Sequence, residues 1–354
     1  MNWVRGHSLG SGSFATVNLA KHTKDFGNFR SLTAVKSCNL DNCFSLQNEK
    51  HILNRLGSSP HIIKCFGHDQ TFENDQDNIF LEYAAGGTLN DQLYNYGGKF
   101  TEKHVRRYTR SIVEGLKYIH ENGFVHCNLK LSNILVFDDD NIKISDFGLA
   151  KEKGLVDKQQ CRGTPMYMSP EAINDNVHES PADIWALGCA VVEMITGEPV
   201  WKNETDMWML FTRIVIREEQ PFIPDELSQE GKDFLDKCFA RDPLKRWSAD
   251  MLLKHPFISE DETVSSVKVF TNELSLSSSS PKTHFDYPSW ASSTTTTLCT
   301  SSEEWIGMKF KHCFCLQEKT FKQRHKLWIC WKKITKEMDS NEVEAMLGIL
   351  DSNA

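Results

Sequence analysis

The chain has 354 residues, 40% of them hydrophobic and 25% charged, enough to bury a sizeable core and to divide into two or three compact units. Its 40 basic against 48 acidic side chains give a formal charge of −8, which removes any whole-chain electrostatic case for nucleic acid or an anionic membrane as partner. The most apolar run, residues 184–195, carries Glu193 and falls short of the about 20 apolar residues that span a bilayer. The first residues lack the charged and apolar regions of a signal peptide, and the eleven cysteines, an odd number scattered through apolar and polar contexts, suit a reducing compartment. We expect no transmembrane segment and a cytoplasmic or nuclear location.

Residues 1–83 read mostly as strands with one helix. Two short β-suited runs, 4–9 and 15–21, are joined by Gly10-Ser11-Gly12-Ser13-Phe14, and a third, 32–37, contains Ala34-Val35-Lys36. Gly10 and Gly12 let a hairpin bring its backbone N–H groups close to phosphates with no Cβ in the way. A lone G-x-G is weak, and Ala15 stands where a third glycine is expected. Val17 and Lys36 strengthen it, because they follow at the spacing expected if two strands cover ATP and the third supplies an ammonium to its phosphates. Taken alone, Lys36 would be a surface lysine.

Residues 43–56 form a helical stripe of Phe44, Leu46, Ile52, Leu53 and Leu56 that also carries Glu49. Glu49 is either the ion partner of Lys36 or a solvated helix carboxylate. Two strands follow near 62–67 and 78–83, separated by an acidic, polar segment, 73–77, expected to be an exposed loop. The clearest helix is 101–122: Thr101 can cap it, Glu102 suits its positive end, and Val105, Tyr108, Ile112, Leu116 and Ile119 recur at 3 or 4 before Asn122-Gly123 stops it. Next comes His126-Cys127-Asn128-Leu129-Lys130-Leu131-Ser132-Asn133, and thirteen residues beyond Asn133, Asp146-Phe147-Gly148.

These stretches resemble a eukaryotic protein kinase of the serine/threonine type, in which H-R-D-L-x-x-x-N is followed by D-F-G. Gly163-Thr164-Pro165-Met166-Tyr167-Met168-Ser169-Pro170-Glu171 is similar to the substrate-facing loop of MAP-kinase-kinase-kinases, and Asp183-Ile184-Trp185-Ala186-Leu187-Gly188 to the helix beneath the catalytic loop. The resemblance closes at Arg241-Asp242-Pro243 and His255-Pro256-Phe257 and covers about residues 3–258; the His126-Cys127 pair resembles plant members of that group. It implies an α+β, bilobal fold, with a β-rich N-lobe at 1–83 and a mainly helical C-lobe at 84–258. It also implies ATP and Mg²⁺ as cofactors. Leu9, Gly10, Gly12, Val17, Lys36 and Glu49 would surround the nucleotide, with the backbone of Glu82 to Ala84 holding the adenine and Leu81 guarding the back of the pocket. Asn133 and Asp146 would be the metal ligands, oxygen donors suited to a hard cation. Lys130 would steady the transferred phosphate, Thr164 would count among the catalytic residues, and Glu171 would pair with Arg246. The implied partners are a protein substrate or scaffold, such as a kinase of the next cascade tier.

Two letters depart from the pattern. Cys127 stands where the pattern has the Arg that pairs with a phosphorylated loop, and between Phe147 and Gly163 there is no Ser, Thr or Tyr. Receptor and phosphate acceptor are missing together, so loop phosphorylation is not expected to be the switch. Asn128 stands where the pattern has the catalytic Asp; a carboxamide accepts a hydrogen bond but is a very poor proton acceptor. Two readings stay open: an ATP-binding pseudokinase acting by contact, and a slow serine/threonine kinase.

Beyond Phe257 the resemblance stops. Of the 28 residues 275–302, 16 are Ser or Thr, so 259–302 is expected to be a disordered linker, an inert spacer or a phosphorylation target. In the 303–354 tail, residues 309–336 carry nine basic side chains against Glu318 alone, a local charge of +8, interleaved with Phe310, Phe314, Phe321, Trp328 and Trp331. Such segments bind anionic lipid, RNA or an acidic partner, of which partner docking is preferred. His312, Cys313, Cys315, His325 and Cys330 lack the paired C-x₂-C spacing of structural zinc and read as free side chains. Val343, Met346, Leu347 and Leu350 form a short amphipathic stripe after a capped start at residues 339–342.

Overall fold

The computed structural model describes residues 3–12, 15–22, 32–71, 75–138, 141–155, 162–202 and 206–259. The expectations for the linker and the 303–354 tail lie outside the described residues.

An antiparallel sheet of β1 (Trp3–Ser11), β2 (Thr16–His22), β3 (Leu32–Asn39), β4 (Cys65–Thr71) and β5 (Gln76–Leu81) forms the first layer, in the order β1-β2-β3-β5-β4. Its central strand β3 is buried on both faces from Thr33 to Cys38 apart from Lys36, which is half-buried. Helix α1 (Phe44–Leu56) packs beside the sheet through Leu46, Glu49, Ile52, Leu53 and Leu56. Phe44 departs from the expected stripe. It is 84% exposed, while Leu46, Ile52, Leu53 and Leu56 of the same stripe are buried.

The second layer is mainly helical: α2 (Leu89–Asn95), α3 (Glu102–Glu121), α4 (Pro170–Asp175), α5 (Ser180–Thr196), α6 (Met207–Phe211), α7 (Gln229–Cys238) and α8 (Ala249–Leu252). Short pairs β6 (Phe124–Val125) with β9 (Lys151–Glu152), and β7 (Ile134–Val136) with β8 (Ile142–Ile144), line its upper edge. All five predicted apolar positions of α3 are buried, and α5 is buried continuously from Asp183 to Ile195. Each such Leu or Ile contributes about 1.5–3 kcal/mol of apolar burial, so this helix pair is a rigid base for the loops above it. The two-layer α+β architecture is the bilobal one that the resemblance implies.

Three local expectations fail. The strands placed near 62–67 and 78–83 run instead over β4 and β5, because the Ile63 N–H donates to the Ile144 carbonyl at 2.9 Å and fastens this segment to the lower layer. Asp77 is 3% exposed inside β5, not in an exposed loop. Thr101 occupies the N-cap position of α3, yet its hydroxyl bonds to His104 Nδ1 at 2.9 Å instead of a helix N–H.

Candidate nucleotide and phosphoryl-transfer site

The cleft between the layers begins at Lys36, which β3 pairs with Val17 of β2 and Ile79 of β5. Its Nζ lies 2.6 Å from Glu49 Oε2 and 2.8 Å from Asp146 Oδ1. Glu49 is fully buried on α1, so the doubtful reading of Glu49 resolves to an ion pair. Burial by itself would lower the Lys36 pKa, but Asp146 and Glu49 together outweigh it and raise it, so the ammonium is fixed. Asp146 is pushed up by desolvation and pulled down further by Lys36, Lys130 and His126, which hold it at about 2. Its backbone is left-handed, with φ of +63°. Asp146 is therefore an ionised carboxylate on a strained backbone that its neighbours must hold in place.

Those neighbours are specific. Phe147 is fully buried, packs edge-on against His126 with ring centroids 4.9 Å apart, and donates its N–H to Glu49 Oε1 at 3.3 Å. A Cβ at Gly148 would come within 2.1 Å of Ser45 Oγ and 3.3 Å of the Ser45 carbonyl, so glycine lets α1 approach this turn without displacing Ser45.

At the lower wall, Asp183 at the start of α5 accepts the N–H groups of His126 and Cys127, each at 2.8 Å, and His120 Nε2 at 2.8 Å. Burial pushes Asp183 up, but these donors hold it below the usual carboxylate range. The bonds pin the 126–128 backbone even though Cys127 has φ of +64°. Burial lowers the His126 pKa; a neutral ring with its proton on Nε2 donates to the Ser145 carbonyl at 3.0 Å and accepts the Asn128 N–H on Nδ1 at 3.3 Å. Asn128 is 8% exposed, and its Oδ1 accepts the Thr164 hydroxyl at 2.9 Å. Asn133 Nδ2 donates to the Asn128 carbonyl at 2.8 Å, which orients Asn133, and among the described residues no partner of its amide oxygen is found. Burial lowers the Lys130 pKa against the pull of Asp146 and Glu193.

The glycine turn and the segment after β5 complete the cleft. Leu9 and Val17 are half-buried; a Cβ at Gly10 would meet nothing within 4 Å and one at Gly12 only the Ala15 carbonyl at 3.8 Å. Internal packing therefore does not account for either glycine. The Glu82 N–H is spent on the Lys64 carbonyl at 3.0 Å, while no protein acceptor for the Ala84 N–H is found among the described residues.

Residues 3–258 match the protein kinase domain. This chain belongs to the protein kinase family. Among its relatives in Arabidopsis thaliana, mitogen-activated protein kinase kinase kinase 20 is 45% identical over 307 residues, which are 83% of this chain and 90% of that protein. Kinase kinase kinases 17 and 18 of the same plant are 38% and 39% identical, over 82% and 74% of this chain and 78% and 79% of their own lengths.

Away from the cleft, this kinase domain pairs Glu171 with Arg246 in two bonds of 2.7 and 3.1 Å, as the resemblance implies. Lys151 of β9, 5% exposed, binds Glu179 Oε1 at 2.6 Å, and the Gly154 N–H donates to the same oxygen at 3.1 Å. The start of the loop that carries no Ser, Thr or Tyr is thus held by a carboxylate. Sequence reasoning missed Asn48, Lys151 with Glu179, and Glu193. The buried Glu193 accepts the Tyr167 hydroxyl, and burial pushes its carboxyl up to about 7 against that bond and Lys130. A carboxylate inside the apolar run of α5 was the one available signal for it. Among the described residues no helix is long and apolar enough to cross a membrane.

Proposed function

We propose that this kinase-family chain is a MAP-kinase-kinase-kinase-like signalling protein that binds Mg-ATP in the cleft and transfers phosphate slowly or not at all. The observation that carries this reading is the contrast between a complete Lys36–Glu49–Asp146 triad and a carboxamide at Asn128 already engaged by Thr164. Lys36 would bind the α- and β-phosphates. Leu9 and Val17 would cover the nucleotide, Gly10 and Gly12 would admit its phosphates, and the Glu82 carbonyl and Ala84 N–H would hold the adenine edge. The residues fit a divalent cation of the Mg²⁺ type: Asn133 and Asp146 supply two hard oxygen donors. Among the described residues no three His, Cys, Asp or Glu side chains converge, so the cation would share its coordination with phosphate and water. When bound, the cation neutralises the phosphate oxygens.

In the acceptor half, the Asp expected at position 128 would orient a protein hydroxyl and take its proton. Asn128 spends its oxygen on Thr164, and the remaining NH₂ can only donate. The acceptor oxygen can thus be held but not deprotonated there, which removes on the order of 10²–10⁴ in rate. The domain would then act by contact, with a scaffold or a kinase of the next tier as partner. A second reading, a weak serine/threonine kinase, is favoured by the fixed Lys36–Glu49 pair, since positioning supplies much of phosphoryl transfer. Residues 1–83 and 84–258 would be its two lobes, followed by the linker and a partner-docking tail.

Phosphate transfer to a generic basic protein substrate separates the readings. Equal rates for wild type and Lys36→Met, with activity only in Asn128→Asp, support the pseudokinase. Wild-type transfer well above the Lys36→Met background supports the weak kinase.

A further inference from the structure

Three backbone carbonyls converge on one side chain of α1. Asn48 Nδ2 lies 3.3 Å from the Phe147 carbonyl, 3.1 Å from that of Gly148 and 2.8 Å from that of Ala150. An amide nitrogen has two hydrogens, so one serves Ala150 and the other is shared between Phe147 and Gly148. Carbonyl oxygens that face one point repel each other unless a donor stands between them. Asn48 is that donor, half-buried and neutral, so it satisfies them without bringing a charge into the site.

The next residue on the same helix acts from the other side. Glu49 accepts the Phe147 N–H with Oε1 while Oε2 holds Lys36. Successive helix residues project about 100° apart, so Asn48 and Glu49 grip the 147–150 turn by its carbonyls and by its N–H respectively. That turn begins directly after Asp146, whose left-handed backbone persists only where the surroundings over-determine it. Glu49 fixes one N–H, the Ala150 N–H closes the turn on the Phe147 carbonyl at 3.1 Å, and Arg162 holds the Leu149 carbonyl at 2.9 Å; Asn48 is the group that gathers the Phe147, Gly148 and Ala150 carbonyls onto α1.

We propose that Asn48 is a positioning residue for the Asp146 carboxylate, setting how strongly a divalent cation adds to nucleotide binding without touching nucleotide or cation. The proposal rests on the Mg-ATP reading above. Lys36 holds Asp146 through its charge, with Glu49 holding Lys36 in turn, whereas Asn48 holds the backbone from which that charge is aimed.

The test uses the full chain and two readouts. The first is the ratio of the ATP dissociation constant in EDTA to that in excess Mg²⁺; the second is amide hydrogen exchange across 147–150. In Asn48→Leu the ratio is expected to fall about tenfold and exchange at 147–150 to rise about tenfold, with Mg²⁺-free affinity within about twofold of wild type, the effect of one well-made hydrogen bond. Asn48→Gln, which keeps the NH₂, should restore most of the ratio. If Asn48→Leu does not fold, Asn48→Ser, too short to span the carbonyls, carries the same expectation. A wild-type ratio and wild-type exchange in these variants would overturn the role of Asn48 alone. Wild-type protein that binds no ATP under either condition would overturn the Mg-ATP reading and this proposal with it.

Discussion

At the Lys36 corner of the cleft every strong charge has a partner: one ammonium bridges two carboxylates, and Asp146 stays ionised down to about pH 2. At the Asn128 corner the groups nearest the acceptor position are neutral, a carboxamide bonded to a hydroxyl and an uncharged imidazole, with the ionised Asp183 behind them spent on backbone N–H groups and Glu193 poised at about 7. What differs is which step each can support. Binding polyphosphate needs fixed charge, which the upper corner supplies, and removing a proton needs a base, which the residue at 128 cannot be.

The largest expected effect closes that gap. Asn128→Asp should raise phosphate transfer on the order of 10²–10⁴-fold while leaving ATP affinity unchanged, measured by steady-state transfer and calorimetry. Equal transfer by wild type and variant would break the comparison, since the lower corner would then not limit the reaction. At the upper corner, Lys36→Met leaves buried Glu49 without its cation and should destabilise the ATP-free protein by about 3–5 kcal/mol in urea unfolding. An unchanged midpoint would mean that the triad is an arrangement without energetic weight.

The corners should also titrate in opposite senses. Glu193, raised from 4.5 to about 7, contributes stability that is fully present below pH 4.5 and lost as pH rises through 7. Glu193→Gln should flatten that fall, about 3 kcal/mol, in thermal unfolding followed from pH 5 to 8. Asp146, lowered from 3.8 to about 2, contributes stability that is present above pH 3.8 and lost as pH falls through 2. The smallest change is Thr164→Val, which removes the donor to Asn128 and should cost about 1 kcal/mol of stability with no effect on ATP affinity.

Much of this was legible from spacing. The strands β1 to β3 and the helices α1 and α3 lie within two residues of their predicted bounds, because apolar periodicity and turn residues act locally. Lys36 with Glu49 and Glu171 with Arg246 pair as the resemblance implies, and Asp146 joins the first pair. The segment ahead of β4 was misplaced because its apolar Ile62 and Ile63 suit a strand equally well in either layer, and only the Ile144 contact decides. Asn48 was invisible: an Asn among helix residues carries no periodic signal, and its three acceptors lie about a hundred residues away.

The sequence by itself determined the family, the order of the elements and the two altered letters at 127 and 128, since these depend on residue identity and spacing along the chain. Tertiary structure alone decided that Glu49 is a buried ion partner and not a solvated carboxylate, and that Phe44 faces water. It also decided that Thr164 occupies the Asn128 oxygen and that Asn48 gathers three carbonyls. The physical reason is common to all four. Burial and hydrogen-bond partnership belong to pairs of groups brought together across the cleft, and no local pattern encodes which partner a polar side chain will meet.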